Sequence, residues 1–213
     1  MAELREIGQL MVGATPGTGG EPTINYVRAG SISEAGTVTR LTSGAEPSRG
    51  REARLATGDV VVRARGVPAA AIIDQVAEGA YPTNDVVLFR ADAAKADPAY
   101  IAALLNLPAS REALSAGSQG AALSRLSVQT LGDFEVPLPS LITQRKIAAL
   151  ADFMRAEQDI LDRLRELRKQ LNHQILQQLL ENARDVGGYP RRGLHQANRL
   201  ESAGPSSPAS KEQ

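Results

Sequence analysis

The longest uninterrupted pattern in the chain lies between Thr143 and Arg184, where neither glycine nor proline occurs and strong helix formers dominate. Within it Ile160, Leu164, Leu167 and Leu171 follow a 4-3-4 spacing. Ile175 and Leu179 continue the stripe, and Ile147, Leu150 and Met154 extend it upstream. This pattern predicts one helix over residues 142–184, on the order of 60 Å long at about 1.5 Å per residue. A small domain cannot cover such a rod. The stripe therefore predicts a second helix, from another copy or a partner, along Leu150, Met154, Ile160, Leu164, Leu167, Leu171, Ile175 and Leu179. Beside the stripe, Arg155 with Asp159 and Asp159 with Arg163 can form i,i+4 pairs, whereas Asp162–Glu166 and Arg165–Lys169 set like charges together.

Residues 1–141 carry short apolar bursts between turn clusters such as Thr15–Gly20 and Ser48–Arg51. Ile24–Val27, Asp59–Arg63 and Val86–Arg90 predict strands, the second entered through Gly58-Asp59 and closed near Gly66. A helix is predicted at Pro98–Leu107, with proline in its first turn and Ile101, Leu104 and Leu105 on one face. A second is predicted at Ser110–Ala116, stopped by Gly117. Residues 185–213 are polar, rich in proline and serine and aperiodic, which predicts a disordered tail. The fold class is α+β: a mixed β-rich domain over 1–141, a long coiled-coil-type helix over 142–184, then the tail.

Composition narrows the chemistry. With 3% aromatic residues and no tryptophan, the core must be built from Leu, Val, Ile and Ala. The absence of cysteine excludes a disulfide framework and a thiolate metal site. The opening MAELREIGQLMV lacks the basic start and apolar centre of a signal peptide. No apolar run approaches the roughly 18 residues a membrane span needs, so a cytoplasmic protein is expected. The two histidines, His173 in the predicted helix and His195 in the tail, suggest neither a metal site nor a triad. Gly13–Gly20 is glycine-rich but lacks the lysine of a phosphate loop, and no dinucleotide loop or Asn-Pro-Pro-aromatic methyltransferase motif occurs. No catalytic residue, metal or cofactor is expected. Asp59 or Asp85 in a cleft is the enzymatic alternative.

Several pieces, in order, resemble one known family. Leu4-Arg-Glu-Ile-Gly8 with Gly13 matches an opening strand and its glycine, and Ile24–Arg28 with Ile32 a following strand pair. Leu55–Arg63 with Arg65-Gly66 matches a central hairpin, and Tyr100-Ile101 with Leu104-Leu105-Asn106 a helix ending in Leu-Asn. Gly120–Leu126 matches a loop before the last strand. The most specific piece is Asp133–Ser140 (DFEVPLPS) followed by Gln144–Ala148 (QRKIA), feeding the leucine-striped helix. Pro137 and Pro139 cannot donate backbone bonds, so the strand must end there. Ser140 can then cap the helix, with Gln144 in its first turn.

Together these pieces resemble the specificity subunit of type I restriction-modification systems, in a half-length form with one target-recognition domain. The resemblance implies a non-catalytic, DNA-binding protein acting in DNA methylation and phage defence. Its globular domain would read half of a bipartite site in double-stranded DNA. Its helix would act as a ruler and dock DNA methyltransferase subunits, which a restriction-motor subunit can join. One domain and one helix imply a homodimer reading two inverted half-sites.

The resemblance transfers no base-contact residue, because recognition domains differ most where they specify bases. Residues 1–141 hold 12 basic and 15 acidic side chains, so any DNA-binding charge must be sorted onto a face. The densest basic stretch is Arg49, Arg51, Arg54, Arg63 and Arg65, opposed only by Glu52 and Asp59. Arg63 and Arg65, two apart, would share one strand face. Ser118, Gln119, Ser124 and Arg125 form a second candidate group, and Arg28 and Arg40 are further basic candidates. Zero net charge keeps a rival open: a dimeric adaptor that binds only protein.

Overall fold

The computed structural model describes residues 1–117 and 125–186. The expected tail, and the candidates Ser118, Gln119 and Ser124, lie outside the described residues. The chain divides into two compact units, Met1–Asp159 and Ile160–Gln213.

In the first unit a short strand β1 (Ala2–Glu3) leads into a one-turn helix α1 (Leu4–Ile7). Then follow β2 (Gly8–Val12), β3 (Thr15–Gly17), β4 (Ile24–Val27) and β5 (Thr42–Arg49). The hairpin β6 (Val60–Arg63) and β7 (Ala70–Ile72) precedes β8 (Tyr81–Pro82) and β9 (Val86–Ala91). Three helices, α2 (Pro98–Leu105), α3 (Pro108–Ala116) and α4 (Val128–Gly132), lead to β10 (Glu135–Val136) and the long α5 (Leu141–Val186). The architecture is thus a mixed, sheet-rich domain followed by one long helix.

Two four-stranded sheets form the domain, in the orders β2-β9-β6-β7 and β3-β5-β4-β8. The first is antiparallel throughout, while β4 and β8 pair in parallel in the second. Strand β6 explains the Val60-Val61-Val62 run. Side chains alternate across a strand, and here both faces are covered. Val60 and Val62 enter a core with Phe89, Tyr100, Ile101, Leu105 and Leu131, whereas Val61 enters a second core with Val27, Ile32, Leu55, Ile73 and Leu88. A strand buried on both sides reads as an unbroken apolar run.

Local expectations are corrected in four places. The Leu4–Gly8 segment is not a strand; Leu4–Ile7 makes a helical turn that buries Leu4 and Ile7, and the strand starts at Gly8. The Pro98 helix ends at Leu105, with Asn106 as its cap, because Pro108 opens the next helix and holds the preceding Leu107 in extended geometry. The helix α4 intervenes between Leu126 and the last strand. Within α5 the ion pairs are i,i+3, not i,i+4: Arg155 with Asp152 at 2.8 Å, Arg165 with Asp162 at 2.7 Å and Lys169 with Glu166 at 3.9 Å. All are solvent-exposed and contribute little stability.

The junction into α5 is tightly tied. The Ser140 hydroxyl accepts from the Thr143 amide at 3.4 Å, so Ser140 does cap the helix. Gln144, however, does not reach back to a capping box. Its side chain is fully buried. Its Oε1 accepts from the Asp97 amide at 2.8 Å, and its Nε2 donates to the Lys95 and Pro139 carbonyls at 3.1 and 2.9 Å. Ala148, one turn on, joins the first core. Tyr100 closes the same corner, its hydroxyl donating to the Pro137 carbonyl at 2.8 Å.

Candidate nucleic-acid interface

The turn between β8 and β9, Thr83-Asn84-Asp85-Val86, organises one end of the domain. The Val86 amide donates to the Thr83 carbonyl at 2.8 Å, which closes the turn. The Thr83 amide donates to the Val27 carbonyl at 2.9 Å, anchoring it to the end of β4. The Ala14 amide donates to the Pro82 carbonyl at 2.6 Å, and the Gly13 amide to the Val86 carbonyl at 3.2 Å. Gly13 lies so close that a Cβ there would come within 2.7 Å of the Pro82 carbonyl oxygen and closer still to that of Thr83. The Ala64 amide donates to the Asp85 carbonyl at 2.9 Å, and the Leu126 amide to the Ala64 carbonyl at 2.9 Å. Four separate segments therefore come together around this turn.

These segments, and β5 beside one of them, carry five arginines. Arg63 ends β6 opposite Val86. Arg65 forms an antiparallel bridge with Arg125, whose guanidinium donates to the Asn84 carbonyl. Arg49 ends β5 opposite Thr15, next to Ala14, which itself bridges to Thr83. Arg28 directly follows Val27. Arg28, Arg49, Arg65 and Arg125 are exposed and Arg63 is half-buried. The Asp85 carboxylate, the nearest acid in the turn, is engaged by the Thr83 hydroxyl. Four exposed arginines and one half-buried one thus lie on segments joined around this turn.

The remaining candidates are elsewhere. Arg54 sits at the opposite end of β6, its Nε donating to the Gly79 carbonyl at 3.4 Å. Arg51, in the 3-10 turn that follows β5, reaches back onto that strand, with Nε donating to the Pro47 carbonyl at 3.0 Å. Arg40 lies exposed before β5. Arg63 and Arg65 do not share a strand face, because β6 stops at Arg63 and Arg65 belongs to the bridge with Arg125. The Arg63 Nε is held by the Val67 carbonyl at 2.8 Å, fixing the β6–β7 turn. Behind it, burial pulls the Arg111 guanidinium below the ordinary arginine value; Glu34 opposes this and Arg63 adds to it.

Asn84, which sequence reasoning passed over, matters here, and Asn106, read there only as the end of a helix, has a structural role. Asn84 is exposed in the turn, and its carbonyl accepts from Arg125. The Thr-Asn-Asp cluster before an apolar strand was a turn signal that could have marked it. Asn106 clamps the outer edge of β7, its amide bonded to both the amide and the carbonyl of Ala70 at 3.0 and 2.7 Å.

The enzymatic alternative finds no support in these positions. Asp59 is 3% exposed and fully engaged, accepting from the Ala56 amide at 2.8 Å and from Arg90 at 2.6 and 2.8 Å. Asp85 is held by Thr83. Among the described residues, no cluster of three or more His, Cys, Asp or Glu could hold a metal, and no helix is long and apolar enough to cross a membrane.

Solved structures share this architecture. An HsdS subunit from Thermoanaerobacter tengcongensis matches with a TM-score of 0.61 at 20% identity, covering 91% of this chain and 50% of that one. The fold is shared with type I restriction-modification S subunits. A structure described as the basis of complex assembly and conformational transition of the type I R-M system matches at 0.59 and 22% identity, over 90% of this chain and 50% of that one. The type I restriction-modification S subunit from M. genitalium matches at 0.53 and 14% identity, over 81% and 43%. The chain thus spans about half the length of these solved structures. No family model and no curated protein matches the sequence.

Along α5 the apolar stripe is bare. Leu150, Met154, Ile160, Leu164, Leu167, Leu171, Ile175 and Leu179 are all exposed, Leu164 at 57%. Phe153, Leu161, Leu176 and Leu180 are exposed as well.

Proposed function

We propose that this chain is a sequence-reading subunit of a type I restriction-modification system. Its sheet-rich domain reads one half of a bipartite site in double-stranded DNA. Its helix pairs with a second copy and docks methyltransferase subunits, to which a restriction-motor subunit can be added. The observation that carries this reading is the fold, a mixed-sheet domain running through a Pro-rich junction into a long helix, shared with S subunits over 91% of the chain. The arginines around the Thr83–Val86 turn support it, since phosphate contacts position such a protein and arginine reads guanine in the major groove.

Gel-shift titration against random-sequence duplex DNA, with and without a co-purified methyltransferase, tests the reading. Binding that acquires a sequence preference in the complex is the expected result. Replacing Arg49 and Arg65 together by alanine should weaken binding across all sequences and reduce the salt slope by about one per arginine. Absence of sequence preference in both states contradicts the proposal and leaves the protein-binding adaptor, which the net charge of zero favours.

The pairing of helices has its own test. A continuous stripe at the observed exposure is stabilised only when a second helix covers it. Sedimentation should find the parent chain dimeric and the Leu164→Asp, Leu171→Asp double variant monomeric. A parent chain that is monomeric without partners contradicts the homodimer.

A further inference from the structure

We infer that Asn84 is a base-reading residue, recognising adenine in one base pair of the half-site. The inference rests on the proposed DNA-reading function and adds a specificity-determining residue to it.

Asparagine in a turn ordinarily has a structural role: its side chain bonds to the backbone two or three residues on. This chain uses that device repeatedly. The Asp74 carboxylate accepts from the Val76 and Ala77 amides at 3.0 and 3.1 Å, Asp92 from the Ala94 amide at 3.0 Å, and Asp97 from the Ala99 and Tyr100 amides at 3.0 and 3.1 Å. Asn84 does not do so. Its side chain is exposed and forms no hydrogen bond among the described residues. The turn itself is closed by the Val86 amide on the Thr83 carbonyl and braced by the Thr83 hydroxyl on Asp85. Among the described residues, folding thus leaves the Asn84 carboxamide unused.

Its backbone, by contrast, is immobilised. The Asn84 carbonyl accepts from Arg125, its neighbour Thr83 is bonded to Val27, and its neighbour Asp85 accepts from Ala64. A free carboxamide on a fixed backbone, with Arg125 on its carbonyl and Arg28, Arg49 and Arg65 on segments joined to its turn, has the chemistry of a base contact. The arginines engage phosphates and set the approach, and the carboxamide presents one donor and one acceptor together. Adenine offers the complementary pair in the major groove, its N6 amino group and N7, and asparagine meets both at once. No other single base presents a donor and an acceptor together on its major-groove edge. Arg125 on the Asn84 carbonyl keeps the turn from retreating when the groove closes on it.

The test is selection of bound duplexes from a random pool by the full chain together with a co-purified methyltransferase, in parallel for the parent and for Asn84→Ala. The variant should fold normally, because the side chain it removes is exposed and unbonded; equal thermal melting checks this. The expected result is that Asn84→Ala loses preference at a single A·T position, by roughly tenfold or more. Preference elsewhere in the motif and affinity for non-specific DNA should stay unchanged. An unchanged motif overturns the inference while leaving the DNA-reading function intact. A parent chain that enriches no motif at all overturns the function itself. Asn84→Gln adds a second readout: the longer side chain should shift or relax the same position and no other.

Discussion

Gly13→Ala is expected to cost about 3 kcal/mol of folding stability, read as a lower urea midpoint, and to abolish duplex binding. The physical cause is local. A Cβ at this position would be within 2.7 Å of the Pro82 carbonyl oxygen and press harder still on Thr83, both of them backbone and unable to swing aside. Either the Gly13–Val86 and Ala14–Pro82 bonds break or the Thr83–Val86 turn moves off the end of β4. Both outcomes scatter the arginines that the turn collects. Gly19→Ala is the control, because nothing lies within 4 Å of a Cβ built there. It should change stability by less than about 0.5 kcal/mol.

The second large effect belongs to Gln144. Gln144→Ala leaves the Asp97 amide and the Lys95 and Pro139 carbonyls without their side-chain partner at a fully buried position. The expected loss is about 3 kcal/mol, since each buried orphan costs roughly 1–3 kcal/mol and water can recover part of it. Gln144→Glu is the sharper variant. A carboxylate can still accept from Asp97 but cannot donate to two carbonyls, and burial disfavours its charge. Its folded-state value should therefore rise above the ordinary glutamate value of about 4.3. A raised value means that the variant is most stable, relative to the parent, in acid. That stability is lost as pH rises through the folded value. Chemical unfolding at pH 4 and pH 8 reads the sign directly. A variant as stable as the parent at both contradicts the latch.

Much of the fold could be read from residue patterns, and the exceptions have physical causes. The helix was visible because its stripe from Leu150 to Leu179 repeats over about eight turns with nothing to interrupt it, and the structure extends it only to Leu141–Val186. The buried strand β6 was visible because both its faces are covered, which leaves three valines in a row. Leu4–Ile7 was misread because four residues carry too little periodicity to separate a helical turn from a strand. Gln144 stood in the first turn as a capping residue would, but its partner Asp97 is 47 positions upstream and invisible to local reasoning.

The candidate site was less legible than the fold. Arg49, Arg51, Arg54, Arg63 and Arg65 are close in the chain, yet β6 lies between them and carries Arg54 to one end and Arg63 to the other. The site is assembled instead by register, through Val27, Ala14, Ala64 and Leu126 meeting one turn. Asn84 drew no notice because a turn asparagine usually serves the turn. Only the absence of its expected bond sets it apart from Asp74 and Asp92.

The central claim is that this domain reads DNA sequence and that two copies read together. Selection from a random duplex pool, using the full chain with a co-purified methyltransferase, tests both at once. The expected product is an inverted repeat of two short half-sites separated by a spacer of fixed length, since a two-fold pair of domains presents the same surface twice. A pool that emerges unenriched would contradict the account.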